Sequence, residues 1–266
     1  MSAAIFHVDG DLLIPTVLAR GPWTPDAQHG GPPSALLARA VERSDDGAAF
    51  VVVRVTVELL RPVPIAPLQV RTRLARPGKK VQLVEASLVV AATDTEVARA
   101  TGLRMRHTSL PIPEGAAPHG ALPPPSAGVT SRPPWAGRLE YEGFHSGGAE
   151  LRFVAGTFER PGPAAAWIRL RVPLVAGEAT SPLCRVAVAA DFGNGISWVL
   201  DRTQGYRFIN PDLTIALHRH PVGEWVGLES VTAPDALGVG IAESRLYDQH
   251  GPLGRSIQTL LLEHDG

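Results

Sequence analysis

Asp191 follows an apolar, alanine-rich run, Pro182-Leu183-Cys184-Arg185-Val186-Ala187-Val188-Ala189-Ala190. If that run is helical, a carboxylate at its C-terminal end opposes the helix dipole. Such a placement asks for a role beyond helix stability, although a turn aspartate is the plainer reading. Gln28-His29-Gly30-Gly31-Pro32-Pro33 is the second candidate. Glycines ahead of a helix allow close backbone approach, and a helix start presents unpaired N–H groups. Pro32 and Pro33 lack that proton, so Gly30, Gly31 and Ser34 are the donors that could polarise a carbonyl oxygen. A simple turn into a proline-started helix is the alternative there. Two amides interrupt apolar strands: Asn210 in Ile209-Asn210-Pro211-Asp212, and Gln258 in Ser256-Ile257-Gln258-Thr259-Leu260. Buried amides need partners. A water held between Asp191 and Gln258 would supply one, and an ordinary cross-strand hydrogen bond would serve as well.

Other chemistries lack their residues. There is no Gly-x-Ser-x-Gly elbow, no phosphate-binding glycine loop of either common type and no His-Glu-x-x-His. Nine histidines include His218-Arg219-His220, but no cysteine or carboxylate accompanies them at ligand spacing. No metal and no cofactor is expected.

The elements that must position these residues read as follows. Pro32 and Pro33 suit a first helical turn, and Leu36, Leu37, Ala40 and Val41 recur at helical spacing. Residues 50–60 alternate apolar side chains with Arg54, Thr56 and Glu58, the period of a strand. Strands follow over 67–77, 80–92 and 95–106. The second half gives strands near 149–159, 165–173, 206–219, 223–233, 237–248 and 252–263, with a helix near 182–193. Residues 109–135 are rich in proline and glycine and suit neither a helix interior nor a central strand. The expected division is an N-terminal unit over 1–108, a Pro-rich linker over 109–140 and a C-terminal unit over 141–266.

The halves echo each other. Thr56, Leu59 and Arg61 match Thr214, Leu217 and Arg219 at an offset of 158, which also brings Glu85 and Leu88 onto Glu243 and Leu246. On this alignment Asn210 corresponds to Val52 and, allowing a turn deletion, Gln258 to Gly102. The common order points to an internal duplication. Five antiparallel strands around one central helix is the hotdog arrangement, so the expected fold is α+β, a double hotdog. An alanine-rich helix fits because it must lie close to a curved sheet.

The chain has 266 residues, 25 Lys+Arg against 26 Asp+Glu, and a net charge of −1. That balance argues against nucleic acid or an anionic membrane as main partner. One cysteine, Cys184, excludes an intrachain disulfide framework. No window approaches the ~18 apolar residues of a membrane span. The N-terminus carries no signal-peptide pattern, so the cytoplasm is the expected location.

HGGPPSALLARAVE, LLRPVP, NPDLTIALHRHPVGEWVGLES and SIQTLLLE resemble the thioesterase-like, acyl-CoA thioesterase II (TesB-type) double-hotdog family over roughly residues 12–106 and 150–263. The resemblance implies an acyl-CoA thioester hydrolase that uses neither metal nor covalent nucleophile. It assigns water activation to Asp191 and Gln258 and to Asn210, which stands where the family has Thr. It gives carbonyl and substrate binding to His29, Gly30 and Gly31. The helix after His-Gly-Gly carries Ala38 where single-hotdog relatives carry an acid. The second-half helix keeps its acid but lacks the Gly pair. One composite site is therefore expected, with Asp191 near the Gly31 amide. Phe192, Trp198 and Trp225 are candidate tunnel residues, and Arg61, Arg219, Lys79 and Lys80 candidate phosphate contacts. Hotdog sheets tend to pair edge to edge, so a homodimer or larger assembly is expected. The rival is a catalytically weak or inactive acyl-CoA or lipid-binding protein. A hydratase would need His where Ile196 stands, and a purely structural role is a further alternative.

Overall fold

In a sheet with one buried face, every second side chain points inward. β12 (Val226–Asp235), β13 (Val239–Asp248) and β14 (Gly251–His264) follow that rule. Ser230, Thr232, Ala242, Ser244, Ser256, Gln258 and Leu260 face in, while Val231, Ile241, Arg255 and Ile257 face out. The computed structural model describes residues 3–44, 50–113, 115–133 and 141–265.

Before these strands come β1 (Phe6–Asp9), β2 (Leu12–Pro15), α1 (Gly31–Arg43), β3 (Phe50–Leu59), β4 (Leu68–Arg76), β5 (Val81–Val90) and β6 (Thr95–Arg106). Next are β7 (Val129–Ser131), β8 (Ala149–Thr157), β9 (Arg160–Leu170), α2 (Pro182–Ala190), α3 (Gly193–Ile196), β10 (Tyr206–Ile209) and β11 (Asp212–Leu217). Among the described residues the strands form one 14-stranded sheet in the order β1-β2-β4-β5-β6-β3-β11-β14-β13-β12-β9-β8-β7, with β10 attached to β14. Its strand ladders are antiparallel. At the centre β3 meets β11, and Thr56 stands opposite Thr214 with hydroxyls 3.2 Å apart. This large antiparallel sheet with few helices is consistent with a hotdog fold.

α1 and α2 lie side by side and antiparallel. Gly31 at the start of α1 approaches Val188 near the end of α2, and Ala35 O accepts the Cys184 thiol at 3.4 Å. Alanine dominates both helices because a larger side chain would hold them apart. α1 starts with Pro32 and Pro33 in its first turn and no side-chain cap. α2 starts with Pro182 after Ser181, whose hydroxyl accepts from the Cys184 N–H. That same Ser181 hydroxyl donates to Glu42 Oε2 at 2.5 Å, and burial pushes the Glu42 carboxyl above its ordinary range. A cavity of about 40 Å³ is all that remains there.

Several boundaries differ from expectation. The β1–β2 hairpin was not anticipated, although Asp9-Gly10 is a hairpin turn signal and Gly10 has φ +58°. The Pro-rich stretch contributes β7 at the sheet edge, where missing donors cost least. Pro123 O accepts the Trp167 indole N–H at 2.7 Å and ties the stretch to the second half. Residues 134–140 of the expected linker lie outside the described residues. The helix expected over 182–193 stops at Ala190, and α3 begins separately at Gly193. The single strand expected over 206–219 is broken at Asn210-Pro211, where proline offers no N–H to continue the ladder.

Candidate active site

Antiparallel packing brings the start of α1 against the end of α2. Gly30 lies beside Asp191, which caps α2, and a Cβ on Gly30 would stand 2.8 Å from Asp191 Oδ2. The Asp191 side chain is 5% exposed. A carboxylate this buried must be compensated by donors, and three residues provide contacts. Asn210 Nδ2 donates to Oδ1 at 2.9 Å. Gln258 Nε2 donates to the same oxygen at 3.3 Å and to the Asp191 main-chain carbonyl at 3.2 Å. His29 Nδ1 lies 2.9 Å from Oδ2. The same nitrogen lies 3.1 Å from the Gly31 N–H, so it serves one neighbour at a time: protonated it donates to Asp191, unprotonated it accepts from Gly31.

Each partner has a local reason for its place. The chain break at Asn210-Pro211 frees Asn210 from the ladder, while Pro211 O anchors the break by accepting Leu59 N–H at 2.7 Å. Gln258 is an inward position of β14. Its Oε1 accepts the Asn194 N–H at 3.1 Å. A backbone donor can meet only the carbonyl end of the amide, so the NH₂ end faces Asp191. α3 holds that donor in place. Gly193 fits between Gln258 and Ser244, and Ser197, Thr232 and Asn194 form a buried hydroxyl–amide chain at 2.8 and 3.2 Å. His29 is held by Phe144 and Phe192, with ring centroids 5.0 and 4.8 Å away.

Asp191, Asn210, His29 and Gly30 border a cavity of about 430 Å³, a size suited to a small-molecule ligand. Phe158, Phe192 and Trp198 form its inner wall, and Trp23, which is 49% exposed, stands at its opening. His145 also borders it, from a π-type turn over Phe144–Gly148. Burial, then the neighbouring His29, pushes the His145 pKa down to about 4, so it is neutral near pH 7. The Cys184 thiol is pushed up to about 12 by burial, which leaves no thiolate to act as a nucleophile.

The structure thus brings together Asp191, Asn210, Gln258, His29 and Gly30. Gly31 is adjacent, but its N–H points at His29 Nδ1, 3.1 Å away, and the Ser34 N–H is committed to Gly30 O. Gln258 and Asp191 are in direct hydrogen-bond contact. Phe192 and Trp198 line the cavity, but Trp225 does not: it packs against the Arg152 and Arg169 guanidiniums. Arg61, Lys79 and Lys80 do not border the cavity, and Arg219 is held by both oxygens of Asp248 at 2.6 Å. Burial alone would raise the Asp248 pKa, but the Arg219 fork and two backbone N–H donors hold it down at about 2. Asn194, His145 and Trp23 were not anticipated. Asn194 contributes through its backbone, which carries no residue-type signal, and His145 sits in Gly-Phe-His-Ser-Gly-Gly, which has no periodicity.

Among the described residues no helix is long and apolar enough to cross a membrane, and no cluster of His, Cys, Asp and Glu could hold a metal ion. Residues 19–105 match the model of the acyl-CoA thioesterase N-terminal domain, and residues 113–262 match that of the C-terminal domain. Solved structures share the fold. A proposed thioesterase II from Thermobifida fusca is 20% identical, covers 97% of this chain and 94% of its own, and gives a TM-score of 0.74. An acyl-CoA thioesterase II from Mycobacterium marinum is 14% identical, with 98% and 94% covered and a TM-score of 0.66. No curated protein matches the sequence. With more than half of its length matched by the C-terminal model alone, the chain belongs to the acyl-CoA thioesterase family.

Proposed function

We propose that the chain hydrolyses acyl-CoA thioesters with a water activated at Asp191. The observation that carries this reading is the buried Asp191 carboxylate, held by Asn210, Gln258 and His29 beside Gly30 at the wall of an aromatic cavity. In the proposed step the water oxygen bonds to the thioester carbonyl carbon and its proton passes to Asp191. Asn210, which borders the cavity, orients the water, while Gln258, whose amide is engaged by the Asn194 N–H and by Asp191, holds the carboxylate. The Gly30 N–H, which has no acceptor among the described residues, faces the developing oxyanion. The C–S bond then breaks and coenzyme A leaves as a thiolate, a leaving group of modest basicity.

Asp191→Asn retains the shape and removes the base. Turnover of acyl-CoA, read by thiol release, is expected to fall by at least ~100-fold, the usual worth of a general base, while the melting temperature holds. Wild-type turnover in that variant would overturn the assignment. The 2.9 Å His29–Asp191 contact favours a second reading, in which Asp191 orients His29 and its Nε2 takes the proton. His29→Gln separates the two. If His29 is the base, this variant loses as much rate as Asp191→Asn and loses the imidazole limb of the pH–rate profile. If Asp191 is the base, most of the rate remains.

We further propose that the chain is a double hotdog, with units over 1–108 and 141–266 joined by a linker over 109–140. Thr56 opposite Thr214 supports it: positions equivalent by the 158-residue offset face each other, as an approximate twofold axis requires. Thr101 pairs with Thr56 and Ile257 with Thr214, so Gly102 and Gln258 occupy equivalent places. Exposed Val231, Ile241 and Ile257 on one outer face support a homo-oligomer. The rival, a binding protein without turnover, predicts bound acyl-CoA and no released thiol.

A further inference from the structure

One cation beside the cavity is unused by the proposed mechanism. Arg202 begins a short turn after Asp201 and lies over the Trp23 ring, with Cζ 4.3 Å from its centroid. Both border the cavity that holds Asp191. Trp23 in turn stands edge-on to Phe208 at 5.6 Å, two residues before Asn210. Arg202 makes no ion pair or side-chain hydrogen bond among the described residues. A guanidinium stacked by its face keeps its edge N–H donors free, and those donors match a phosphate in a two-pronged geometry. The acids nearby are otherwise occupied. Asp201 caps Thr203 through its N–H and hydroxyl, both at 2.8 Å, and Glu159 is bonded to Thr157. Burial, then the neighbouring Arg207, pushes the Arg202 pKa down from its usual value, though it remains a cation at neutral pH.

The cavity has a direction. Phe192 is 4% exposed, Phe158 7% and His145 2%, whereas Trp23 is half exposed. An acyl group extends into the buried aromatic end, and whatever leaves the thioester sulfur runs outward past Trp23. Arg202 therefore meets the leaving arm rather than the acyl chain.

We propose that Arg202, braced on Trp23, binds a phosphate at the far end of the pantetheine arm of the thioester. This rests on the thioesterase reading of the same site. The phosphate has two sources, the diphosphate of coenzyme A or the phosphodiester that links the arm to a carrier protein.

The test compares binding of coenzyme A, 4′-phosphopantetheine and pantetheine to the intact protein by calorimetry, in wild type, Arg202→Ala and Arg202→Lys. Wild type is expected to bind coenzyme A at least ~10-fold more tightly than pantetheine, the scale of one charge-assisted pair. Arg202→Ala erases that ratio and Arg202→Lys restores part of it. Should 4′-phosphopantetheine share the gain, the phosphate common to both sources is the one held. Should only coenzyme A show it, the nucleotide side is the source. Equal binding of all three by wild type, or an unchanged ratio in Arg202→Ala, overturns the proposal. Thiol release is measured alongside: an Arg202-dependent binding ratio without hydrolysis would sink the thioesterase reading and leave this one standing.

Discussion

Gly30 has φ −64° and ψ −25°, a helical conformation open to any residue, so its requirement is one of space. The Asp191 carboxylate occupies the volume a methyl group would take. Gly30→Ala therefore displaces Asp191 from Asn210 and Gln258. Thioester turnover is expected to fall ~10-fold or more, since small misplacements of reacting groups cost about that much or worse. The melting temperature should fall as well, because a buried carboxylate loses its donors and alanine is a poorer N-cap than glycine. Kinetics and a thermal melt on the one variant check both halves of this expectation. His145 gives a second prediction. Its folded pKa of about 4 lies below the ordinary 6.5, so the unfolded chain takes up the proton first as pH falls. Its contribution to stability is complete above pH 6.5 and is lost as pH drops through that value toward 4. Denaturant melts across that window should show a shallower slope in His145→Gln than in wild type; equal slopes would refute the cause. At this scale Asp191, Gln258 and Asn210 were legible because each is polar where its surroundings are apolar. Gly30 was legible as a glycine, but its reason was not, since the neighbour that excludes a side chain comes from the other half of the sequence. Trp23 and Arg202 meet from segments about as far apart, and nothing in either segment names the other.

Between elements, close approach decides the packing. Gly102 on β6 lies under α1 so tightly that an added Cβ would stand 2.1 Å from Val41 Cγ1. Val41 is buried and β-branched, so it has little room to yield. Gly102→Ala is expected to destabilise the protein by about 1–3 kcal/mol, the usual cost of overpacking. Adding Val41→Ala should cost less than its effect alone, a favourable coupling that denaturant melts of the single and double variants would reveal. Strict additivity would argue against the contact. The strands of the first half were readable because their alternation is regular. The break between β10 and β11 was signalled by Pro211, yet it lay inside a pattern that otherwise ran on as one strand. α3 is four residues long, too short for a helical period to show. The β1–β2 hairpin had its Asp-Gly turn but only four residues in each arm.

The whole molecule is held at the β3–β11 seam, where Thr56 and Thr214 face each other. A Thr56→Cys, Thr214→Cys pair is well placed to form a disulfide on oxidation, and it would close a loop spanning more than half of the chain. The chain-entropy account assigns such a long loop up to ~5 kcal/mol. A rise in the denaturation midpoint on oxidation, with thioester turnover preserved, is the expected result. Failure to cross-link would mean that the seam is not as described. The pairing of Thr56 with Thr214 agrees with the 158-residue offset read from the sequence, whereas the meeting of residues from both parts of the chain at one cavity needed the helix ends to be seen together. Those ends are unequal. At one, Asp191 faces a cavity; at the other, Glu42 is bound by Ser181 and walled in, with about 40 Å³ left beside it. Room for a water is not room for an ester, so a slow, tight substrate analogue should saturate at one equivalent per chain. The molecule therefore has an inert pole. Substitution or association at that pole is expected to leave the proposed turnover at the other unchanged.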